Sequence, residues 1–213
     1  MAARALFVKV CGITTLADAR AAVDAGADAL GFVFFARSLR AVTPAAAAAI
    51  SQALPRPRPL RVGVFVNAPP GAIAAIDAQV GLDAIQLAGD EDPEYVAAIG
   101  PKAMKVLRIT GPASLAAARG YRCQAFVLEG PAAAPGGSGG AFDWRLARDA
   151  KGVARIVLGG GLTPDNVAAA VAAARPFGVD VTAGVESAPG VKDPERLRRF
   201  IAAARAAAGA GTR

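Results

Sequence analysis

Short hydrophobic segments alternate with longer alanine-rich segments along most of the chain. The hydrophobic segments are rich in branched and aromatic residues and are bounded by glycine, proline or charged residues, as buried strands are. The pattern therefore predicts alternating strands and helices. Eight segments are predicted as strands, at residues 6–13, 29–35, 61–67, 83–87, 104–109, 125–129, 155–158 and 178–182.

The segments between these strands carry signals for the start and end of helices. Residues 15–25 begin with a threonine and end before a glycine, which are favourable helix caps. The pairs Thr43-Pro44 and Thr163-Pro164 each place a threonine cap before a proline at the first helical position. Further helices are predicted at residues 70–80, 92–99, 112–119 and 143–150, and from Pro194 to about residue 208.

Strands separated by helices indicate a parallel sheet, because parallel neighbours need a crossover connection. Eight such units predict the α/β class and a single (β/α)8 (TIM) barrel, with one closed eight-stranded parallel sheet and one domain over residues 1–213. An open doubly wound sheet shows the same alternation and is the alternative. Polar residues follow nearly every strand, where a barrel has its active site, and this favours the barrel.

Three polar side chains near strand ends are expected to point into the mouth of this barrel. Alternate residues of a strand share a face. Cys11 therefore shares a face with Lys9, and Glu129 and Asp180 fall on the inward face of their own strands. An unperturbed thiol has a pKa of about 8.5, which a cationic neighbour lowers, so Cys11 is a candidate general base.

Composition narrows the chemistry that these side chains can perform. The chain has no histidine, which excludes Ser-His-Asp and Cys-His catalysis and leaves acid–base work to other residue types. The net charge of +7 raises the question of nucleic-acid binding. However, the arginines are scattered and no recognition motif accompanies them. We therefore expect no nucleic-acid partner.

Cysteine usage and hydropathy bear on the compartment. Cys11 and Cys123 lie far apart without CxxC spacing, so we expect neither a metal site nor a disulfide, and we interpret Cys123 as a buried apolar residue. No apolar run approaches the ~20 residues of a membrane span, and no signal-peptide pattern is seen. We expect a cytoplasmic protein with no membrane partner, and both a monomer and a homodimer remain open.

Glycine-rich turns follow the last two predicted strands. Gly160 and Gly161 belong to a triple glycine after the seventh strand, and Gly184 and Val185 follow the eighth. Glycines let backbone N–H groups approach a phosphate closely, and barrels often bind phosphate at this place. The two turns predict a phosphate cradle. A further glycine-rich segment at residues 131–141 predicts a mobile lid, with a disordered insertion as the alternative.

Six motifs together resemble the phosphoribosylanthranilate isomerase family. In chain order they read VKVCGIT, DAGADALGFVFFARSLR, VGVFVN, GGSGGAFDW, GGGLTPDNV and GVDVTAGVESAPGVKD, and they extend over residues 8–193. The resemblance implies a cofactor-free Amadori rearrangement of N-(5-phosphoribosyl)anthranilate to 1-(2-carboxyphenylamino)-1-deoxyribulose 5-phosphate. The partner that it implies is this small phosphorylated substrate.

The resemblance also implies roles for individual residues. The family's general base corresponds to Cys11, and its general acid corresponds to Glu129. Its ligand for the anthranilate carboxylate corresponds to Arg40, a role that suits the guanidinium fork. Asp180 is expected to bind ribose hydroxyls or to replace Glu129 as the acid. The backbone groups implied to hold phosphate belong to Gly160, Gly161, Gly184 and Val185.

Four positions depart from the family pattern. Glu129 stands where the family has aspartate, which moves the carboxyl by one methylene, and a shift of about 1 Å can slow a reaction ~100-fold. Ala88 replaces a histidine, Gly140 replaces the lysine of the lid, and Ala183 replaces a serine. We expect Glu129 to serve in place of the aspartate. The alternatives are an isomerase or epimerase of another phosphosugar and a non-catalytic barrel that binds phosphorylated ligands.

Overall fold

Eight parallel strands form a closed barrel within the computed structural model, which describes residues 6–131, 142–149 and 155–210. Each strand pairs with the next, and the last pairs with the first. The closed ring confirms the predicted barrel and excludes the open sheet. The strands are β1 (Phe7–Cys11), β2 (Ala29–Val33), β3 (Leu60–Phe65), β4 (Ala84–Leu87), β5 (Ala103–Arg108), β6 (Ala125–Glu129), β7 (Arg155–Leu158) and β8 (Gly178–Val181).

Helices follow the strands and cover the outside of the sheet. The predicted caps Thr15 and Thr43 are present, and their hydroxyls accept hydrogen bonds from the backbone N–H groups of Asp18 and Ala46. Across the described residues, the helices fall short of what a membrane crossing needs in length and apolar character. They are α1 (Leu16–Asp24), α2 (Pro44–Gln52), α3 (Pro70–Val80), α4 (Pro93–Ile99), α5 (Pro112–Ala116), α6 (Leu146–Asp149), α7 (Val167–Ala174) and α8 (Pro194–Ala210).

The start of α7 differs from the prediction. The helix begins at Val167 and not at Pro164. Asn166 causes the delay, because its side chain accepts from the Thr163 N–H at 2.8 Å and donates to the Gly161 carbonyl at 2.9 Å. These two bonds hold residues 163–166 as a turn. The threonine therefore starts the turn, and the proline lies within it.

A short hairpin after β8 was not predicted. It consists of β9 (Glu186–Ala188) and β10 (Val191–Lys192), joined through Gly190 at a φ of +83°. The two strands are shorter than the window over which alternation can be recognised in a sequence. Most of the predicted lid, residues 132–141, and the end of the helix predicted at 143–150 lie outside the described residues.

Two apolar layers surround the strands. The larger layer fills the space between the sheet and the helices and includes Phe32, Phe65, Phe126 and Phe200. The smaller layer fills the lower part of the barrel and shows the alternation expected of inward-facing positions. Because this apolar layer fills the lower part of the barrel, polar side chains are confined to the upper part. The inner layer consists of Ala29, Val62, Ala84, Met104, Val106, Ala125, Val127 and Val157.

A buried ion pair lies above this inner layer, where β1 meets β8. Lys9 and Asp180 are cross-strand partners in the register, and the Lys9 Nζ lies 2.9 Å from both carboxylate oxygens. Burial alone would lower the pKa of Lys9, but the nearby charges of Asp180 and Cys11 raise it above its usual value. Lys9 is therefore a cation inside the barrel.

Barrel closure can be tested at Gly178, which pairs with Phe7 across the closing seam. A Cβ atom at Gly178 would lie 2.6 Å from the Phe7 carbonyl oxygen, and backbone cannot move aside cheaply. We expect Gly178→Ala to lower the free energy of unfolding by about 1–3 kcal/mol, as overpacking does. Urea unfolding followed by circular dichroism measures the change.

The matched control is Gly71→Ala in α3, where a Cβ atom would meet nothing within 4 Å. This exposed helical position should lose no stability and should gain up to about 1 kcal/mol from helix propensity. Equal stability of the two variants would contradict the steric argument.

Candidate active site

A cavity opens at the carboxyl ends of the strands and brings together side chains from distant parts of the sequence. Its polar lining is Cys11, Ser38, Arg40, Gln86, Arg108, Glu129, Asp180 and Thr182. The predicted residues Cys11, Glu129, Arg40 and Asp180 therefore share one cavity. A thiol, two carboxylates and two guanidinium groups can transfer protons and bind anions.

The thiol of Cys11 is buried at the end of β1. A Cβ atom on the neighbouring Gly31 would lie 2.7 Å from its Sγ and 3.0 Å from the Lys9 Nζ, so only glycine fits beside both groups. Burial raises the pKa of Cys11, and the charges of Lys9 and Lys192 counteract the shift in part. The thiol is thus held mostly protonated near two cations.

The carboxylate of Glu129 lies on the opposite side of the mouth, at the end of β6. Its cross-strand partner in the register is Arg108 at the end of β5, and the guanidinium of Arg108 donates a hydrogen bond to Glu129 Oε2. A Cβ atom on Gly159 would lie 3.1 Å from Glu129 Cγ. The glycine therefore leaves room for the Glu129 side chain.

Arg40 lies in the loop after β2 and is held by a buried carboxylate. Its Nε donates to Glu186 Oε1 at 2.9 Å, and its Nη2 donates to Glu186 Oε2 at 2.6 Å. Lys192 approaches the same carboxylate, with its Nζ 2.8 Å from Oε1. Burial would raise the pKa of Glu186, but the bonds from Arg40 and Lys192 hold it below its usual value.

The predicted phosphate turns line a second opening of about 300 Å³, which shares Glu129, Asp180 and Thr182 with the first cavity. Gly160 and Gly161 have φ angles of +70° and +65°, which favour glycine. A Cβ atom on Gly184 would lie 1.9 Å from the Leu162 carbonyl oxygen, so the two turns are in contact only because this residue is glycine.

Val185 does not line this opening. Its side chain is buried, and its backbone N–H already donates to the Thr182 carbonyl at 3.4 Å. Ala183, by contrast, lines the opening. Ala88 lines the first cavity, and Gly140 lies outside the described residues.

Several residues in or beside the cavity were given no role by the sequence pattern. Arg108 has the same strand parity as the inward-facing Met104 and Val106, and this parity could have placed it at the mouth. The hairpin residues Glu186 and Lys192 carried no such signal. Gln86 is 3% exposed, and its Oε1 has no hydrogen-bond partner among the described residues. The cavity therefore offers an acceptor to a bound donor.

The chain is similar to known proteins over most of its length. The model of the N-(5′-phosphoribosyl)anthranilate (PRA) isomerase family matches residues 8–203. A protein of Citrifermentans bemidjiense with the name N-(5′-phosphoribosyl)anthranilate isomerase is 52% identical over 199 residues, which cover 93% of this chain and 96% of that protein.

Two solved structures are similar in fold and sequence. The phosphoribosylanthranilate isomerase of Thermotoga maritima has a TM-score of 0.86 and 40% identity, covering 94% of this chain and 99% of that one. A phosphoribosylanthranilate isomerase in complex with reduced 1-(o-carboxyphenylamino)-1-deoxyribulose 5-phosphate has a TM-score of 0.82 and 38% identity, with the same coverage. The chain belongs to the N-(5′-phosphoribosyl)anthranilate isomerase family.

Proposed function

We propose that this enzyme isomerises N-(5′-phosphoribosyl)anthranilate to 1-(2-carboxyphenylamino)-1-deoxyribulose 5-phosphate by cofactor-free general acid–base catalysis. The observation that carries the proposal is the meeting of Cys11, Glu129 and Arg40 in one cavity that adjoins the glycine turns. Each group meets one requirement of the reaction: Cys11 serves as a base, Glu129 serves as an acid, and Arg40 binds a carboxylate. The family match and the complex of a related enzyme with a reduced product support the assignment.

Glu129 is the proposed general acid. Its protonated carboxyl gives a proton to the ribose ring oxygen, the bond from C1′ to that oxygen breaks, and the anilino nitrogen forms a Schiff base. Arg108 holds the carboxyl at the mouth, and the space beside Gly159 admits its extra methylene. The carboxyl lines both openings, so it can reach a sugar that extends from one to the other.

Cys11 is the proposed general base. Its thiolate removes the proton from C2′, which converts the protonated Schiff base to an enolamine. The enolamine then gains a proton at C1′ and loses the O2′ proton, which leaves the ketone. Lys9 and Lys192 lie near the thiol and favour its ionised form. The net change moves one hydrogen from C2′ to C1′ and one proton from the O2′ hydroxyl to the former ring oxygen, which is an isomerisation.

The remaining residues bind the substrate in this proposal. Arg40 receives the anthranilate carboxylate, and the backbone of Gly160, Gly161 and Gly184 receives the phosphate. Asp180, whose oxygens already accept from Lys9, lies between these two ends and binds a ribose hydroxyl. We further propose that the enzyme acts on this diffusible substrate in the cytoplasm.

The assigned acid and base can be tested by substitution. We expect Cys11→Ala and Glu129→Gln each to lower kcat by about 100-fold or more, because each removes a proton-transfer group. Glu129→Asp should keep or improve activity because it restores the family's carboxyl. Loss of anthranilate fluorescence from freshly prepared substrate measures turnover.

Cys123→Ala is the control for Cys11→Ala, because Cys123 lies just before β6 in the chain and does not line the cavity. It should turn over substrate at a rate close to wild type. Near-normal turnover by Cys11→Ala, in protein shown to be folded, would exclude Cys11 as the base.

The pH dependence follows from the raised pKa of Cys11. Activity requires ionised Cys11 together with a protonated acid, and carboxyl groups as a class lose their proton at lower pH than thiols do. At low pH, kcat/KM should rise as thiolate forms, and it should then stay level because gain of thiolate offsets loss of the protonated acid. It should fall only above the raised pKa of the Cys11 thiol. A decline that begins between pH 7 and 8 would contradict this order of ionisation.

A further inference from the structure

We propose that Glu186 is a positioning residue for Arg40, and that it sets the specificity of the site for an aromatic amine bearing a carboxylate. The inference rests on the proposed function and concerns how the carboxylate end of the substrate is held. Glu186 itself need not touch the substrate. It acts through the guanidinium that it holds at the mouth of the barrel.

The first step is the freedom that Arg40 would otherwise have. It lies in the loop between β2 and α2, next to Leu39, whose side chain is 76% exposed. An arginine on an exposed loop loses considerable rotamer freedom when it binds a ligand, which weakens binding. A ligand-free arginine that is already fixed avoids this loss.

The second step is the contact that fixes it. Glu186 accepts one hydrogen bond from Nε and one from Nη2 of Arg40, and the Glu186 side chain is only 4% exposed. The aliphatic part of Arg40 packs on Gly12, where a Cβ atom would lie 2.7 Å from Arg40 Cδ. A guanidinium has five N–H donors. Three therefore remain for a ligand while the side chain is held on two sides.

The third step is the charge of the cluster. The carboxylate of Glu186 alone would neutralise Arg40 and weaken its attraction for a second carboxylate. Lys192 contacts the same carboxylate at 2.8 Å, so the three groups together carry a net positive charge. Burial lowers the pKa of Lys192, and the bond to Glu186 counteracts that shift. A substrate carboxylate thus meets a guanidinium that is held in place and whose positive charge is not neutralised.

The fourth step connects this cluster to the base. The Lys192 Nζ also donates to the Cys11 carbonyl at 2.6 Å and to the Thr182 carbonyl at 3.3 Å. The carboxylate that holds Arg40 is therefore linked through one side chain to the backbone of the proposed base. This link fixes the separation between the point that holds the aromatic carboxylate and the thiol that takes the C2′ proton.

The test compares wild type, Glu186→Gln, Arg40→Met and the double variant. Glu186→Gln should raise KM by about tenfold or more, because a charge-assisted fork is lost, while kcat changes by less than about threefold. In the Arg40→Met background the same substitution should have no further effect. Glu195→Gln on α8, an exposed glutamate paired with Arg198, is the matched control and should leave both constants unchanged.

A binding measurement separates the inference from the reaction itself. Two reduced product analogues are titrated by calorimetry, one with the ortho carboxylate and one with aniline in place of anthranilate. Glu186→Gln should weaken binding of the carboxylated analogue by about tenfold and leave the aniline analogue unchanged. Equal weakening of both analogues, or additive effects in the double variant, would overturn the proposal. If wild type binds the carboxylated analogue but does not turn over substrate, the proposed function fails and this comparison still decides the role of Glu186.

A second variant guards against failure of Glu186→Gln to fold. Arg40→Lys keeps the charge but cannot form the two-point contact with Glu186. If positioning matters, Arg40→Lys should raise KM nearly as much as Arg40→Met. A KM close to wild type would show that charge alone is sufficient and would overturn the proposal.

Discussion

The contact between Lys9 and Asp180 is the interaction on which the site depends. It joins the first and last strands where the ring closes, and both groups are buried in the barrel. Two buried charges are tolerated only when they compensate each other. The two residues meet only when β1 pairs with β8, so the ion pair depends on closure of the sheet. The same ammonium lies beside the thiol of Cys11, which connects closure of the fold to the state of the proposed base.

A second set of charges lies beside the first, around Glu186. Arg40 and Lys192 both contact this carboxylate, and Lys192 contacts the Cys11 carbonyl. The thiol is thus bordered by an ion pair from inside the barrel and by an ion cluster from the loops above. The general composition, +7 with scattered arginines, gives no sign that several cations meet at one end of the barrel. Their convergence is a product of topology.

Much of the fold could be predicted from the sequence, because strand length, alternation and helix caps are local signals. The thiol of Cys11 and the carboxyls of Glu129 and Asp180 could be placed at one mouth by their strand parity, since all strands of a parallel barrel end on the same side. The family's motifs added Arg40. The parts of the fold that were not predicted depend on contacts that no local sequence pattern reveals. The contacts of Asn166 make α7 begin later than predicted. A two-strand hairpin places Glu186 and Lys192 beside the site, and no local pattern in the sequence predicts this hairpin.

The separation of the partners along the chain has a consequence for synthesis. Lys9 lies 171 residues before Asp180, and the Cys11 carbonyl lies 181 residues before Lys192. A nascent chain that ends before Asp180 contains the thiol and its neighbouring lysine but none of the carboxylates that compensate the cations. A chain that lacks β8 has no Asp180 to pair with Lys9, so burial of β1 before β8 is added would leave this lysine uncompensated. The surroundings of the proposed base are therefore complete only when the last strand closes the barrel.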